Sequence, residues 1–273
     1  MSTNPRKKAR LDLLLVQREL ADSRTEAQRL IMAEQVLVNG QKATKAGAQV
    51  ACDALIRVLA RLPYASRGGL KLAAALDHFG TSVSGLVAAD VGASTGGFTD
   101  CLLQRGASKV YAIDVGYGQL AWSLRQDPRV IVMERTNARF LDKLPEPIHL
   151  ATVDVSFISL QLILPRVYQW LMPGGLIVAL VKPQFEAGRT QVGKGGVVRD
   201  RAVHEQVLYR VLGWSVEHGL SLHGLIPSPI TGPAGNVEFL ALLGRSSPLP
   251  TVDLTTAIEA ALPSGIDRSP DPL

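Results

Sequence analysis

Asp90-Val-Gly-Ala-Ser-Thr-Gly-Gly-Phe-Thr-Asp100 is the stretch that decides how this chain folds. It follows the apolar run Leu86-Val87-Ala88-Ala89 and precedes Cys101-Leu102-Leu103, which is the order of a buried strand, a glycine turn and a helix start. A glycine turn there lets backbone N–H groups approach a nucleotide-like ligand without a Cβ in the way. Asp114, seventeen residues beyond Gly97, ends a second short strand, Val110–Ile113. An acid at that strand end is placed to accept hydrogen bonds from ribose hydroxyls. Together the two features point to a cofactor with an adenosine-type ribose, and so to an enzyme.

The glycines fall as Gly92-x-x-x-Gly96-Gly97, not in the G-x-G-x-x-G spacing of dinucleotide binders, and no Gly-Lys-Ser/Thr follows to cradle ATP phosphates. A pyrophosphate favours a helix start with little acid beside it. Asp90 and Asp100 flank this turn, which suits a ligand carrying positive charge. S-adenosylmethionine fits best. The competing reading is a tight strand-to-helix turn whose glycines serve packing alone.

The strands that follow are Val130–Met133, Leu150–Val153, Leu176–Val181, Leu220–Ile226 and Val237–Leu243, most of them separated by helical stretches. This alternation predicts an α/β fold with a mostly parallel sheet and helices on both faces. Before it, Leu72, Leu76 and Phe79 mark a helix that begins at Ser66-Arg67-Gly68-Gly69-Leu70-Lys71. After Gly244 a weak helix, Thr255 to Leu262, precedes a loose Pro/Asp/Ser tail. Amino-terminal to the sheet is a different pattern: a short helix from Leu11, a capping-box signature at Ser23–Glu26, a helix with Ala27, Leu30 and Ile31 on one face, and a hairpin turn at Asn39-Gly40. Leu55–Leu59 closes this small module as a strand.

Charge separates the same two regions. Residues 1–62 hold 11 Lys/Arg against 6 Asp/Glu, whereas residues 63–273 hold 18 of each. The whole formal charge of +5 therefore sits in the first quarter of the chain, an electrostatic footprint for nucleic acid or another anionic surface. Arg6, Lys7, Lys8 and Arg10 form a basic arm, and Arg24, Lys42 and Lys45 continue it through the module. No run approaches the length of a membrane span, and the polar start, with no apolar stretch after it, predicts no secretory signal and a cytoplasmic location. Two cysteines make neither a disulfide framework nor a zinc set, and five scattered histidines show no ligand spacing, so no metal is expected. The three tryptophans read as core.

Chemistry-bearing residues gather where an open parallel sheet places its ligands, beyond the carboxyl ends of the strands. Asp154 ends one strand and Lys182 another, the latter held by the rigid turn Pro183-Gln184-Phe185-Glu186. Glu238 lies within an apolar strand. Arg67 and Lys71 stand near a helix start, where the helix dipole disfavours cations. Ordinary ion pairing, Asp154 with Lys182 and Lys71 with Glu238, is the bland account. The functional one is a lysine whose proton affinity is lowered by burial beside another cation, able to activate a hydroxyl for methyl transfer. Gly188 to Gly196, with Arg189, Lys194 and Arg199 nearby, is read equally as a loop over substrate phosphate and as a flexible surface loop.

With these motifs in view the chain resembles the TlyA family of ribosomal RNA 2'-O-methyltransferases, whose members also carry the name hemolysin A. The resemblance runs from about Arg10 to Leu243 and rests on Ser66-Arg67-Gly68-Gly69-x-Lys71-Leu72, the Asp90–Thr99 turn, Asp114-Val115-Gly-Tyr-Gly-Gln-Leu, Glu134-Arg-Thr-Asn137-Ala-Arg, Asp154-Val-Ser-Phe-Ile-Ser and Val181-Lys182-Pro-Gln-Phe-Glu. It implies an alpha-L RNA-binding domain over 1–61, a linker over 62–65, a methyltransferase domain like the heat-shock RNA ribose methyltransferases over 66–246, and a carboxyl-terminal tail over 247–273. The fold it implies is a Rossmann-like methyltransferase sheet with one antiparallel strand, beside a small α+β domain. By motif, Lys71, Asp154, Lys182 and Glu238 match the family's Lys-Asp-Lys-Glu tetrad, with Lys182 as base, tuned by Lys71 and Asp154. Asp90, Gly92, Ala93, Ser94, Gly96, Gly97, Phe98, Asp114, Val115, Asn137 and Asp154 would hold S-adenosylmethionine, and Arg67 would join the basic residues on RNA. The implied activity is 2'-O-methylation of cytidine in large-subunit ribosomal RNA. Extra residues at both ends align this chain with the longer members, which modify both subunits. The rival expectations are a membrane-active hemolysin and a non-catalytic RNA-binding assembly protein.

Overall fold

The computed structural model describes residues 8–32, 35–59, 63–232 and 234–262. Arg6 and Lys7 lie outside the described residues. The chain divides into two compact units, the second beginning at Pro63.

In the first unit, β1 (Lys8–Arg10) leads straight into α1 (Leu11–Gln17), followed by α2 (Arg24–Met32), β2 (Val36–Val38), β3 (Gln41–Lys42), β4 (Gln49–Ala51) and β5 (Ile56–Val58). Strands β3, β2 and β5 form one antiparallel sheet, and β1 pairs with β4 in another. Asn39 and Gly40 both take positive φ at the β2–β3 turn, as a tight hairpin of this type requires. Of the apolar positions expected on α2, Ala27 and Ile31 are fully buried with Leu11, Leu15 and Val36, and Leu30 is half-buried against them. At the start of α2, Ser23 Oγ accepts from the Glu26 N–H, but Glu26 reaches back to the Asp22 N–H instead of that of Ser23. The capping box is therefore offset by one residue. Strands β1 and β4, which carry no apolar alternation, escape a reading based on periodicity.

The second unit is built on α3 (Gly68–His78), β6 (Val87–Val91), α4 (Gly97–Gln104), β7 (Lys109–Ile113), α5 (Trp122–Arg125), β8 (Val130–Met133), β9 (Ile148–Val153), α6 (Leu164–Trp170), β10 (Leu171–Val181), α7 (Pro183–Glu186), α8 (Arg201–Glu217), β11 (Leu220–Pro227), β12 (Phe239–Arg245) and α9 (Leu254–Ala261). Among the described residues its sheet has seven strands in the order β11-β12-β10-β9-β6-β7-β8. Strand β12 alone runs against the others, matching the expected single antiparallel strand. Apolar clusters fill both faces, one with α3 and α4, the other with α6, α8 and α9. That two-sided burial is why β6, β7 and β9 read as continuous apolar runs.

The order of strands sets the place of the site. From β6 the chain adds β7 and β8 on one side, then returns to place β9 on the other. The β6–β9 seam is the topological switch point, where helices leave the sheet in opposite directions and a crevice opens at the carboxyl edge. The antiparallel β12 begins at that same edge, because its amino end lies beside the carboxyl end of β10, Phe239 opposite Val181.

Four expectations are corrected. Val237 and Glu238 precede β12 instead of lying inside it. Residues 63–65 are no linker: Gln104 donates to the Pro63 carbonyl at 2.8 Å and the Ala65 N–H to Asp100 at 2.8 Å, tying them to α4. The boundary at 246 cuts off α9, whose Ile258 and Ala261 are buried in the core of this unit. Of the tryptophans expected in the core, Trp170 is buried, Trp214 is half-buried and Trp122 is exposed.

Candidate active site

A pocket of about 460 Å³ opens at the switch point, within the ~300–1,000 Å³ range of small-molecule and cofactor sites. Its walls come from the ends of four strands: Val91, Gly92 and Ser94 at the end of β6, Ile113 to Val115 at the end of β7, Thr136 to Ala138 after β8, and Asp154 to Ile158 after β9.

Asp114 organises the β7 side. Its Oδ2 accepts the Ser94 N–H at 2.8 Å and its Oδ1 the Gly116 N–H at 2.6 Å, so the two loops close on one carboxylate. Each carboxylate oxygen has a further lone pair for a ligand hydroxyl. Asn137 Oδ1 caps the next turn by accepting from the Arg139 N–H at 3.0 Å, which holds Asn137 in the pocket wall. Apolar Ile113, Val115, Ala138 and Ile163 complete a surface suited to a flat base. The residues thus fit S-adenosylmethionine: an acid for the ribose, apolar walls for adenine, and the carboxylate of Asp154 for a cationic centre.

The glycine turn contributes differently from what its sequence suggested. Asp90 is 0% exposed and lies beneath the turn, its carboxylate accepting Thr99 Oγ1 at 2.7 Å and Thr152 Oγ1 at 3.0 Å. Burial pushes its pKa up to about 6. Asp100 is occupied by the Ala65 N–H and Gln104. Neither flanking acid faces the pocket, so neither balances a cationic ligand. Gly92 and Ser94 line it, but Ala93 and Phe98 are core residues, and Gly96 and Gly97 form the N-cap and first residue of α4. A Cβ on Gly92 would meet the Asp154 carbonyl at 2.3 Å, and one on Gly97 would meet Ser66 Oγ at 2.2 Å. The first glycine lets the β6 and β9 loops touch; the second lets the starts of α3 and α4 touch. The packing reading holds for Gly97.

The four tetrad positions form two ion pairs. Lys182 Nζ lies 2.5 Å from Asp154 Oδ1 and donates to Ser156 Oγ at 3.0 Å. Lys71 Nζ lies 2.5 Å from Glu238 Oε2, with Glu238 only 2% exposed. The second pair explains a cation near the start of α3: Glu238, not the helix, supplies its stabilisation. Gln184, two residues after Lys182, donates to Glu238 Oε1 at 3.2 Å and joins the pairs. The bland pairing and the tetrad are the same atoms. Residues distant in sequence meet here because β9, β10, the start of β12 and the first turn of α3 share one edge.

Sequence reasoning missed Gln184, and it missed Phe157. That ring is 90% exposed, lines the pocket, and sits at φ +63°. A large exposed aromatic in left-handed backbone is the signal that would have found it, but φ is invisible in sequence. The loop 188–196 is fastened at its end: Asn236 donates to the Gly196 carbonyl at 3.0 Å and accepts the Val198 N–H at 3.0 Å.

The basic residues expected on RNA divide into two groups. Lys8, Lys42 and Lys45 are exposed. Arg10 and Arg24 instead converge on buried Asp12 at 2.9 and 3.1 Å, joined by Gln28 at 3.1 Å. The Arg10 guanidinium holds the Asp12 carboxyl well below the usual carboxylate range, against the opposing effect of burial. In the second unit, Arg67 reaches the Thr231 carbonyl at 3.4 Å. Among the described residues no helix is long and apolar enough to cross a membrane.

Known proteins resemble this chain. The family model for FtsJ-like methyltransferases matches residues 64–245, and that for S4 domains matches residues 9–51. A Bacillus subtilis protein named "Putative rRNA methyltransferase YqxC" is 54% identical over 86% of this chain and 85% of its own length. The "16S/23S rRNA (cytidine-2'-O)-methyltransferase TlyA" of Mycobacterium tuberculosis is 44% identical over 95% of this chain and 99% of its own. A solved structure described as "Putative hemolysin from Streptococcus thermophilus" superposes with a TM-score of 0.72 at 45% identity, covering 94% of this chain and 95% of that one. Strand order, switch-point pocket and these matches agree: the chain belongs to the FtsJ-like methyltransferase family, with an S4 domain preceding the catalytic unit.

Proposed function

We propose that this protein methylates the ribose 2'-hydroxyl of cytidine in ribosomal RNA, with S-adenosylmethionine as donor. The observation that carries the reading is that Asp154 both lines the pocket and holds Lys182. The group able to take a proton is thereby fixed beside the place where the donor would bind.

Bound S-adenosylmethionine supplies an electrophilic methyl group; the rest of the chemistry belongs to the chain. A ribose hydroxyl is a poor nucleophile until its proton is being removed. Lys182, acting as the neutral amine once its ammonium proton has been released, receives that proton at Nζ, oriented by Asp154 and Ser156. The Lys71–Glu238 ion pair, joined by Gln184 to the turn that follows Lys182, fixes that turn and lines up the ribose. Asp114, Asn137 and Val115 hold the adenosine half of the donor. Phe157 offers its exposed face to the target base; stacking of this kind contributes about 1–3 kcal/mol per base. Lys8, Lys42 and Lys45 give the S4 domain a phosphate-binding face, sequence-independent and salt-sensitive. The relatives named for both ribosomal subunits or as hemolysins lend those words to themselves; for this chain, ribosomal subunits are the proposed substrate.

The test is transfer of tritiated methyl from the donor to ribosomal subunits that lack the modification, with the modified ribose mapped by reverse-transcription stops. Label at a cytidine 2'-oxygen is expected, lost in Lys182→Ala by about 10²–10⁴-fold, the usual contribution of a general base. Label on a base, or full activity in Lys182→Ala, would overturn the assignment.

A further inference from the structure

The loop after β9, residues 154–160, carries three of the groups assigned above: Asp154, Ser156 and Phe157. At its start the Asp154 N–H donates to the Val91 carbonyl at 2.9 Å. At its end it is held by Glu186, the last residue of α7. Glu186 Oε1 accepts the Leu160 N–H at 2.7 Å and Oε2 accepts Ser159 Oγ at 2.8 Å. Glu186 is buried and does not line the pocket, so the reaction itself leaves it without a role.

We propose that Glu186 is a positioning residue that holds the 154–160 loop in register with Lys182. Lys182 and Glu186 flank the single turn of α7, and the two segments meet at three successive levels. Lys182 meets Asp154 and Ser156, Phe185 packs on Phe157 with ring centres 4.7 Å apart, and Glu186 meets Ser159 and Leu160. Glu186 is itself anchored, because Arg210 on α8 donates to its backbone carbonyl. Between the two anchored ends Phe157 sits at φ +63°, a backbone state that a residue with a large side chain leaves when it is free to do so. Without the far anchor the loop relaxes, Phe157 turns away from the rim, and Ser156 and Asp154 shift off the lysine.

This inference rests on the reading of Lys182 as the base. Glu186→Ala removes both acceptors. Glu186→Gln keeps an oxygen for the Leu160 N–H and offers an N–H to Ser159 Oγ, which can accept it. Single-turnover methylation of undermodified ribosomal subunits and calorimetric donor binding, on the full chain, separate the possibilities. Glu186→Ala should lower the methyl-transfer rate by about 10²-fold, the scale set by ångström-level misplacement, with a smaller loss of donor affinity because residues 154–158 also line the pocket. Glu186→Gln should restore most of that rate. Wild-type rate in Glu186→Ala, or equal losses in the Ala and Gln variants, overturns the tether. So does a loss of donor affinity as large as the loss of rate, which marks general damage to the unit. If Glu186→Ala does not fold, Ser159→Ala removes one of the two bonds and should still slow the transfer step; an unchanged rate there also overturns it. Lys182→Ala serves as the separate control. Activity retained in that variant removes the base assignment itself, whereas a dead Lys182→Ala beside a fully active Glu186→Ala removes the tether alone.

Discussion

Asp90→Asn should raise the stability of the catalytic unit at neutral pH while leaving donor binding almost intact. Asp90 is wholly buried under the glycine turn, and desolvation is the largest influence on it, opposed by the hydroxyls of Thr99 and Thr152 and reinforced by the negative charge of Asp154. Its pKa moves from an ordinary 3.8 to about 6. At about 1.4 kcal/mol per unit, that shift corresponds to ~3 kcal/mol. The sign follows from proton linkage. Below the unfolded value both states hold the proton and nothing is lost. As pH rises through the window from 3.8 to about 6 the unfolded chain releases its proton first, so stability declines, and above it the full cost of a buried carboxylate is present. Asparagine never ionises, so the stability difference between variant and wild type should grow across that window and level off above it. Denaturant titrations of both proteins from pH 4 to pH 8 would measure this, with donor binding followed by calorimetry. A difference that does not change with pH would refute the burial argument. A large loss of donor affinity would show that Asp90 contacts the cofactor, against its position beneath the turn.

Other perturbations probe the remaining parts of the site. Asp114→Ala removes the clamp between two loops and the acceptor proposed for the donor ribose; a charge-assisted hydrogen bond of about 1.5–3 kcal/mol predicts ~10–100-fold weaker donor binding by calorimetry. Glu238→Ala leaves Lys71 as a buried charge without its partner, which should destabilise the unit by about 3–5 kcal/mol in denaturant melts. Replacing both residues by apolar ones should cost less than the single change, though activity is lost either way. Lys42→Glu with Lys45→Glu should weaken RNA binding and flatten its dependence on log salt by about 0.7–0.9 for each phosphate left without its lysine, measured by filter binding over a salt series. An unaltered slope would take those lysines out of the interface.

What the sequence made legible, and what it hid, follows from the range of the interactions involved. Strands β6, β7, β9 and β10 are largely buried on both faces, so each reads as a run of apolar residues, and the polar residue that ends a run marks the ligand edge. Asp114, Asp154 and Lys182 were legible for that reason. Glu238 was placed at the correct edge but inside the strand, because Val237 and Phe239 extend the apolar pattern past the point where the ladder begins. The residues misread or missed are those whose meaning depends on a partner far along the chain. Asp90 and Asp100 look like charges beside a ligand until Thr152 and Ala65 are seen to occupy them. Arg10 and Arg24 read as RNA contacts alone until Asp12 is seen to gather them, where the same charges also stabilise the S4 unit. Gln184 and Glu186 look like ordinary turn residues until their acceptor and donors, Glu238, Ser159 and Leu160, come into reach. A motif such as Lys182-Pro-Gln-Phe-Glu186 therefore compresses four separate interactions into five letters. Only the fold separates the lysine proposed as the base from the amide and carboxylate proposed to hold its surroundings still.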